Sequence, residues 1–542
     1  MQKGLLNDIR EMKDGKLLAG MIAVAIGLSY GYLLIRSTIG IDDTCIERYF
    51  VEGWAPHVGR WTLYLLNCVF DFAHFTPFFM EAVGVILLGV SAYLFCVLWY
   101  RISQGKVSTL ALAAFALIYV TFPLVGEVYM YYLHNGVSLA FSLLALSGIY
   151  WWEYLQKRKI GVLIGITVCL SLAIGCYESF ALVYIVLICG INIWFRWNEL
   201  IADTKRWEGI KRTLISVLPL VGAVVIRMPA YTLINLITGI PEDARDMSKL
   251  QLWIVNNPLV ILKDLVHQFV VRYIVNGIYI WGIAVYVIFA FLFVLAILFA
   301  SVKKKKWSLI IWGGMILVSP WLLIIVEIVV TPYRATQALM LFVPFAAMFC
   351  YEVVLKSIAD KMSKAISLVA ALLLFVIVFR QGFELHQFFY FDSLKEDYSK
   401  AYCQELAYEL YRNYDTSEKP VVFIGQPALP ASLREQVYKD VDEVAVVHYN
   451  YVDEFGYRIW DVACQDTLAW ASWADLGDGE YEIYAYMAMQ GYDFKQPDAA
   501  RREELRKEAL VFTDTPVWPM AGSIVEKEDV ICVYLGPVRV DL

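Results

Sequence analysis

The stretch LLAGMIAVAIGLSYGYLLI, residues 17–35, is an apolar run without a charged residue. About 20 such residues are enough to cross the hydrocarbon core of a bilayer as a helix. The run is too long for the apolar part of a signal peptide and no small-residue cleavage site follows it, so we expect a retained first transmembrane helix. The whole chain shares this character, because 60% of its 542 residues are hydrophobic and its mean hydropathy is +0.58. This composition predicts a polytopic α-helical membrane protein and excludes a soluble globular one.

Ten further apolar runs have a suitable length, which predicts about eleven transmembrane helices. They lie at about 80–100, 107–125, 136–155, 160–176, 179–195, 213–236, 276–300, 308–330, 336–355 and 365–385. Alternate loops are rich in lysine and arginine, and the positive-inside rule places them in the cytoplasm. These loops are 101–106, 156–159, 196–212, 303–306 and 356–364. The amphipathic segment 1–16 is then cytoplasmic, whereas the first loop, 36–79, and all residues after 385 are extracytoplasmic.

Residues 386–542 contain no further apolar span and are rich in charged residues, proline and aromatic residues. Their pattern predicts a helix at 393–413 and strands at 421–425, 443–452 and 524–535, which together form a small extracytoplasmic α/β domain. We expect this domain to bind or cap the acceptor. Its three cysteines permit at most one intramolecular disulfide, and the sequence does not select the pair. They are Cys403, Cys464 and Cys532.

Residues 41–61, IDDTCIERYFVEGWAPHVGRW, follow the first predicted helix directly. Asp42 and Asp43 lie at the level of the lipid headgroups, where an ionised pair requires water or partners. Gly59 and the nearby Pro56 favour a turn, which can direct Arg60 back toward Asp42. We therefore interpret this stretch as an active-site loop.

Six ionisable residues inside or at the edges of the predicted spans lie on the same side of the membrane, whereas Glu153 and Glu352, beside the cytoplasmic loops, are ordinary helix-end charges. The six are Glu81, Glu127, Glu178, Arg227, Glu327 and Arg334, and all six histidines, including His57, lie on that side as well. Ionisable groups at membrane depth are costly unless they face a cavity or a partner, so the set predicts a polar cavity open to the outer leaflet. The alternative for each residue is a helix-end charge that snorkels to water.

Several motifs resemble those of a known family, the GtrII-type glucosyltransferases, which are membrane enzymes that modify O-antigen and related surface polymers. The resemblance begins with the first-loop pattern: Asp42-Asp43, Arg48, Gly53-Trp54 and Gly59-Arg60-Trp61. It continues at Tyr177-Glu178, where relatives carry a tyrosine and a polar residue, commonly glutamine, at Pro332-Tyr333-Arg334, and at the closing strand pair in 518–535. The family is in turn similar to the polyprenol-phosphate-sugar-dependent glycosyltransferases of the GT-C fold.

The resemblance implies a GT-C-like enzyme that moves a sugar, typically glucose, from an undecaprenyl-phosphate carrier. The acceptor would be a hydroxyl of a cell-envelope polysaccharide or teichoic-acid-like polymer, on the extracytoplasmic face of the bacterial cell membrane. A carboxylate would act as general base, and cationic groups would stabilise the departing phosphate. Asp42 or Asp43 is the predicted base, and the other orients the acceptor or holds a cation. The predicted phosphate ligands are Arg60, Arg334 and Arg48, and the predicted acceptor-binding or cavity-lining residues are Glu127, Glu178, His57, Trp54, Tyr177 and Arg227.

The aspartate pair also fits the hard oxygen ligands of Mg²⁺ or Mn²⁺, so a metal stays open as a cofactor without being required. Membrane lipids are expected partners and nucleic acid is not, because no basic footprint is present; the oligomeric state is not predicted. Two other classes remain. A lipid-linked-sugar transporter would place its charges near the midplane on broken, repeated helices, whereas these crowd one face. A non-catalytic membrane protein of envelope polysaccharide assembly would keep the fold without the chemistry.

Overall fold

The computed structural model is mainly helical. It describes residues 5–12, 14–40, 43–44, 46, 50, 55, 59–74, 76–130, 136–198, 206–238, 253, 257–270, 281–327, 335–425, 427, 429–430, 432–433, 480–511 and 515–536.

In the described residues before the first strand, the structure has fifteen α-helices. They are α1 (Leu5–Glu11), α2 (Gly15–Ile35), α3 (Trp61–Phe70), α4 (Pro77–Ile102), α5 (Thr109–Val120), α6 (Gly136–Lys157), α7 (Ile160–Ile174), α8 (Phe180–Trp197), α9 (Arg206–Thr238), α10 (Pro258–Phe269), α11 (Trp281–Lys304), α12 (Ser308–Val318), α13 (Leu322–Glu327), α14 (Gln337–Cys350) and α15 (Lys356–Asn413). Short 3-10 helices occupy Pro123–Met130 and Ser319–Trp321, and a π-helical turn, Tyr351–Leu355, joins α14 to α15.

Eight helical stretches in the described part of the chain are long and apolar enough to cross a membrane: Gly15–Ile35, Pro77–Ile102, Phe180–Trp197, Lys211–Ile234, Gly282–Lys304, Ser308–Ile325, Gln337–Val354 and Ala365–Asn413. A helix also lies in each of the three other predicted spans, but α5 and α7 are short. The third, α6, includes several serines and charged residues. The prediction of an α-helical membrane protein is confirmed, and the number eleven stays a prediction.

The helix ends form two groups, as shown by the contacts of α8. At its start, the Ser179 hydroxyl donates to Gln337 Oε1 at 2.6 Å, and at its end Arg196 Nε donates to Ser308 Oγ at 3.1 Å. The first pair lies beside two loops predicted to be extracytoplasmic, 177–178 and 331–335, and the second lies at two loops predicted to be cytoplasmic, 196–212 and 303–306. The grouping agrees with the predicted alternation of loops, and the side of the membrane on which each group lies stays a prediction.

The predicted loop at 356–364 is wrong, because these residues begin the 58-residue helix α15. The span predicted at 365–385 and the helix predicted at 393–413 are both helical, as predicted, but they are parts of one helix, because α15 continues without a break to Asn413. Residues 356–364 contain lysine, alanine, methionine and serine without glycine or proline, so their intrinsic preference permits a helix. Charge alone suggested a loop at this point, and charge does not break a helix.

The described strands form one three-stranded sheet near the end of the chain. The strands are β1 (Val421–Ile424), β2 (Ile524–Glu526) and β3 (Ile531–Tyr534), and β3 lies between β1, its parallel partner, and β2, its antiparallel partner. Helices α16 (Glu480–Met489) and α17 (Ala499–Val511) precede the hairpin of β2 and β3, and Leu505 of α17 packs on the sheet. The strands predicted in 421–425 and 524–535 are confirmed. The strand predicted at 443–452 lies outside the described residues.

Two of the three cysteines of the predicted extracytoplasmic region are described. Cys403 and Cys532 are both fully buried, and Cys464 lies outside the described residues.

The chain divides into two compact units. The first comprises Met1–Ile35, Glu52–Tyr129 and His134–Gln387, and holds most of the apolar helices. The second comprises Arg36–Val51, Met130–Leu133 and Phe388–Leu542, so the start of the first loop groups with the C-terminal region. Aspartates and arginines of the predicted site therefore belong to different units: Asp43 to the second, Arg60 and Arg227 to the first.

Candidate functional site

The first unit fixes Arg60 at the start of helix α3. Gly59 has a φ of +84°, a left-handed conformation that glycine adopts at little cost. The Arg60 amide donates to the Ala55 carbonyl at 2.8 Å, and the side chains of the next three residues are buried. Turn and helix together hold the Arg60 backbone in place.

The first turn of α3 lies directly against the turn that joins α7 to α8. The Thr62 amide donates to the Gly175 carbonyl at 3.0 Å. A methyl group on Gly175 would lie 2.2 Å from the Thr62 hydroxyl oxygen and 2.7 Å from Trp61 Nε1, distances that no real contact allows. Only a glycine at 175 permits this approach. It brings Arg60 next to Tyr177 and Glu178.

Arg60 contacts both residues of that predicted motif. Its guanidinium carbon lies 4.4 Å from the centre of the Tyr177 ring, a cation–π distance. Its Nε lies 3.5 Å from Glu178 Oε2, which is an ion pair but longer than a well-formed hydrogen bond. The Arg60 side chain is 13% exposed and that of Glu178 is 36% exposed, so the pair is partly open to its surroundings.

Arg227 brings a second guanidinium to the same place. A methyl group on Gly59 would lie 2.2 Å from a terminal nitrogen of Arg227, so the guanidinium rests against the Gly59 backbone. In the part of the chain that the structure describes, Arg227 forms no ion pair. Its helix, α9, exposes large apolar side chains around it, including Val225 and Met228 at 61% and 66%. In a membrane protein such a surface faces lipid. We call Arg60, Tyr177, Glu178 and Arg227 the arginine cluster.

Further polar atoms lie beside the arginine cluster. Trp61 Nε1, Thr62 Oγ1 and Glu178 Oε2 are buried and, among the described residues, have no hydrogen-bond partner. Buried polar atoms normally have partners, so these donors and acceptors suit a bound polar group. The contact of Ser179 with Gln337 connects the same turn to the start of α14.

Asp43 has a different environment in the second unit. It is 1% exposed, its carboxylate Oδ2 accepts from the Gly40 amide at 2.9 Å, and its own amide donates to the Gly40 carbonyl at 3.0 Å. The carboxylate thereby closes its own turn, as aspartates commonly do. Asp43 is firmly held, and one of its carboxylate oxygens supports the backbone.

The structure describes the side chains of five predicted site residues and brings four of them together, as the arginine cluster. Asp43 is the fifth. Glu127 lies in the 3-10 helix Pro123–Met130, and its side chain is not described. The other predicted residues lie outside the described residues: Asp42, Arg48, Trp54, His57 and Arg334. Their roles, and those within the cluster, stay predictions.

The sequence analysis missed three residues at this site: Thr62 of α3, Gly175, and Gln337; it named Trp61 in a motif but gave it no role. Gln337 carries a signal that we did not use, since it is a fully buried amide at the start of an apolar helix. The expected Mg²⁺ or Mn²⁺ involved Asp42 together with Asp43. Within the described residues, no three histidine, cysteine or acidic side chains converge as a metal site.

Comparison with known proteins identifies the family. Neither a curated protein nor a solved structure matches the chain. The family model described as "Glucosyl transferase GtrII" matches residues 31–351, more than half of the 542 residues, and this region contains the aspartate pair and the whole arginine cluster. The chain therefore belongs to the GtrII glucosyltransferase family and is a membrane glycosyltransferase.

Proposed function

We propose that the protein moves a sugar, glucose by the habit of the family, from an undecaprenyl-phosphate donor to a hydroxyl of a cell-envelope polysaccharide or teichoic-acid-like acceptor. The transfer takes place on the extracytoplasmic face of the cell membrane. The observation that carries the proposal is the pairing of two guanidinium groups beside a helix whose neighbouring side chains are exposed and apolar. A phosphate attached to a lipid tail needs both features at one place.

The charges of the arginine cluster suit a phosphodiester. Arg60, Arg227 and Glu178, taken together, carry two positive charges and one negative charge, which leaves one positive charge. A polyprenyl-phosphate sugar carries one negative charge, so binding neutralises the group. Guanidinium groups bind phosphate oxygens through two parallel N–H bonds, stronger than neutral hydrogen bonds. Glu178, at 3.5 Å, holds Arg60 loosely enough for a phosphate to take over the contact.

The exposed apolar side chains of α9 give the donor its route of entry. A polyprenyl chain stays in the bilayer, so its phosphate can reach Arg227 only if the protein opens toward lipid at that point. Val224, one helical turn before Arg227, and Met228, the residue after it, are exposed and form such a surface. An arginine at membrane depth is otherwise costly and marks a functional site.

We assign the general base to Asp42 and a supporting role to Asp43. Asp43 is buried and uses one carboxylate oxygen to close its own turn, so it holds the loop rather than meeting an acceptor. Asp42 takes the proton of the acceptor hydroxyl as the oxygen bonds to the anomeric carbon. The bond from that carbon to the phosphate oxygen breaks, and its electron pair leaves on the polyprenyl phosphate. The phosphate gains negative charge in this step, and Arg60 and Arg227 stabilise it.

Arg334 and Arg48 remain proposed phosphate ligands. Gln337, three residues after Arg334, is anchored to Ser179 beside Glu178, and this contact supports the inclusion of Arg334.

The test is transfer by the purified full-length protein in lipid nanodiscs. The donor is synthetic polyprenyl-phosphate glucose carrying a radiolabelled sugar, and the acceptor is envelope polymer extracted from host cells that lack this protein. We expect label to move to the polymer, and UDP-glucose to be inert as the donor. Transfer from UDP-glucose, or none from the lipid donor, would contradict the proposal. Parallel reactions with EDTA test the requirement for Mg²⁺ or Mn²⁺.

A further inference from the structure

Two side-chain contacts fasten the start of the first loop to helix α15. The Thr38 hydroxyl donates to a carboxylate oxygen of Asp392, and Arg36 forms an ion pair with Asp397. The partners are separated by 354 and 361 residues in sequence, and all four belong to the second unit. We call these four residues the loop clamp.

The two contacts of the loop clamp differ in burial. Thr38 and Asp392 are buried, whereas the side chains of Arg36 and Asp397 are about half exposed. A buried carboxylate is costly without a partner, so the Thr38 hydroxyl matters to Asp392. An exposed ion pair contributes little. Thr38 and Asp392 therefore form the contact that fixes the position of the loop.

Asp392 is itself held firmly within the C-terminal region. Lys395, one turn further along α15 and also buried, places a positive charge near the Asp392 carboxylate. In the next position, Glu396 accepts a hydrogen bond of 3.0 Å from the Tyr486 hydroxyl of α16. This part of α15 is thus fixed by charged and polar contacts, and it gives Thr38 a stable partner.

The path from Asp392 to the acidic pair is short. Thr38 precedes Gly40 by two residues, and Gly40 donates and accepts the hydrogen bonds that close the turn of Asp43. We propose that Asp392 is a positioning residue for the glycosyl transfer: through Thr38 it sets the conformation of residues 38–43 and hence the place of the acidic pair. The proposal rests on the proposed function of that pair. Asp392 lies beyond residues 31–351, so it adds a role for the C-terminal region that the family match does not contain.

The first test compares Thr38→Val, Thr38→Ser and Asp392→Ala by steady-state transfer from polyprenyl-phosphate glucose. Thr38→Val keeps the side-chain shape and removes the hydroxyl. Since a displacement of about 1 Å can cost about 100-fold in rate, we expect kcat to fall by up to about 100-fold with an unchanged donor KM. Thr38→Ser restores the hydroxyl and should restore kcat. The Thr38→Val and Asp392→Ala effects should not add, because both remove one contact.

Asp397→Asn is the matched control, since it breaks the exposed contact of the same clamp. It should change kcat by less than about two-fold. Wild-type kcat in Thr38→Val, or an equal loss of kcat in Thr38→Ser, would overturn the proposal.

Hydrogen exchange tests the proposal independently of the sugar-transfer reaction. Hydrogen exchange of the amides in residues 38–44 should accelerate in Thr38→Val and stay as in the wild type in Asp397→Asn. If the wild-type protein transfers no sugar from the lipid donor, the proposed function fails, while the exchange rates still report on the clamp. Unchanged exchange in Thr38→Val would show that the Asp392 contact does not hold the loop.

Discussion

The arginine cluster and the loop clamp both bring charged side chains together, yet they differ in how their polar atoms are used. In the cluster, Arg60 and Glu178 are 3.5 Å apart, and the buried Thr62 hydroxyl has no hydrogen-bond partner among the described residues. In the clamp, the buried Asp392 carboxylate accepts a hydrogen bond from the Thr38 hydroxyl and lies near Lys395. Polar atoms left open mark a place where a ligand supplies the partners, and atoms already bonded mark a support. The difference separates binding residues from positioning residues.

The largest expected effect concerns the two aspartates, to which we assign the roles of general base (Asp42) and support (Asp43). Asp42→Asn removes proton acceptance and keeps the shape, so transfer should fall by roughly 10²–10⁴-fold. Asp43→Asn should lower transfer less, and the double variant should be strongly non-additive because both residues serve one transition state. Turnover at matched protein amounts measures this. Near-wild-type turnover in both single variants would make the loop structural and favour a non-catalytic role in envelope polysaccharide assembly.

The second prediction tests whether the open cluster binds the donor. Arg227→Ala removes a charge-assisted contact worth about 1.5–3 kcal/mol, so affinity for polyprenyl-phosphate glucose should fall by about 10- to 100-fold. Arg227→Lys keeps the charge but loses the planar fork and should recover the affinity only in part. Donor titration in nanodiscs gives both values.

Arg380 offers the control for this second prediction. It is an exposed arginine of the same unit whose guanidinium carbon lies 5.4 Å from the centre of the Phe383 ring. Its replacement by alanine should leave donor affinity unchanged. Equal losses of donor affinity in Arg227→Ala and Arg380→Ala would show that donor affinity depends on the total positive charge and not on the position of Arg227.

The third prediction concerns the close approach that builds the cluster. In Gly175→Ala the added methyl group overlaps Thr62 and Trp61, so α3 must move and carry Arg60 away from Tyr177. Overpacking of this kind costs about 1–3 kcal/mol, and we expect a lower thermal midpoint together with a higher donor KM. The control is Gly165→Ala on α7, where nothing lies within 4 Å of the added methyl group. A stable Gly175→Ala variant with wild-type KM would show that α3 does not need this contact.

The smallest expected effect concerns the reactivity of Cys532 in strand β3. Burial raises the pKa of the Cys532 thiol from 9.0 to about 11. Because the pKa of this thiol is higher in the folded than in the unfolded state, the buried thiol contributes to the free energy of unfolding below about pH 9. This contribution is lost as the pH rises from about 9 to about 11. Alkylation of Cys532 by iodoacetamide should therefore be very slow at pH 8 and fast after denaturation, as measured by peptide mass spectrometry. Rapid labelling of the native protein at pH 8 would mean that the sheet opens.

Local patterns in the sequence predicted what local physics determines. Apolar runs located helices such as α2 and α4 and, in a short run that ends at a glycine, the buried strand β1; the segment 524–535, which holds β2 and β3, was also located. Arg60 was found because Gly59, a turn residue, precedes it. The prediction of a loop at 356–364 was wrong because lysines were taken as a sign of loop structure, although they are good helix formers.

Contacts between distant segments left no such pattern. Thr38 and Asp392 are ordinary polar residues in their local sequence, and only the folded chain brings them together. The approach of Arg227 to Gly59 is similar: the sequence identified an arginine in an apolar span but not its neighbour. The sequence therefore did not predict long-range pairs of this kind.

The unbroken helix α15 bears on how the protein can be recombined with its relatives. Hydropathy suggests a junction near residue 385, and the family match suggests one after 351. Either junction would replace Asp392 and Asp397 while keeping the native Thr38 and Arg36. A hybrid joined after Asn413 instead keeps the native side chains at both ends of these contacts, and the C-terminal region taken from the relative must then supply partners for α15, such as a hydroxyl for Glu396 in place of that of Tyr486. Exchange of the C-terminal region between family members should therefore succeed or fail according to which side of residues 392–397 the junction lies.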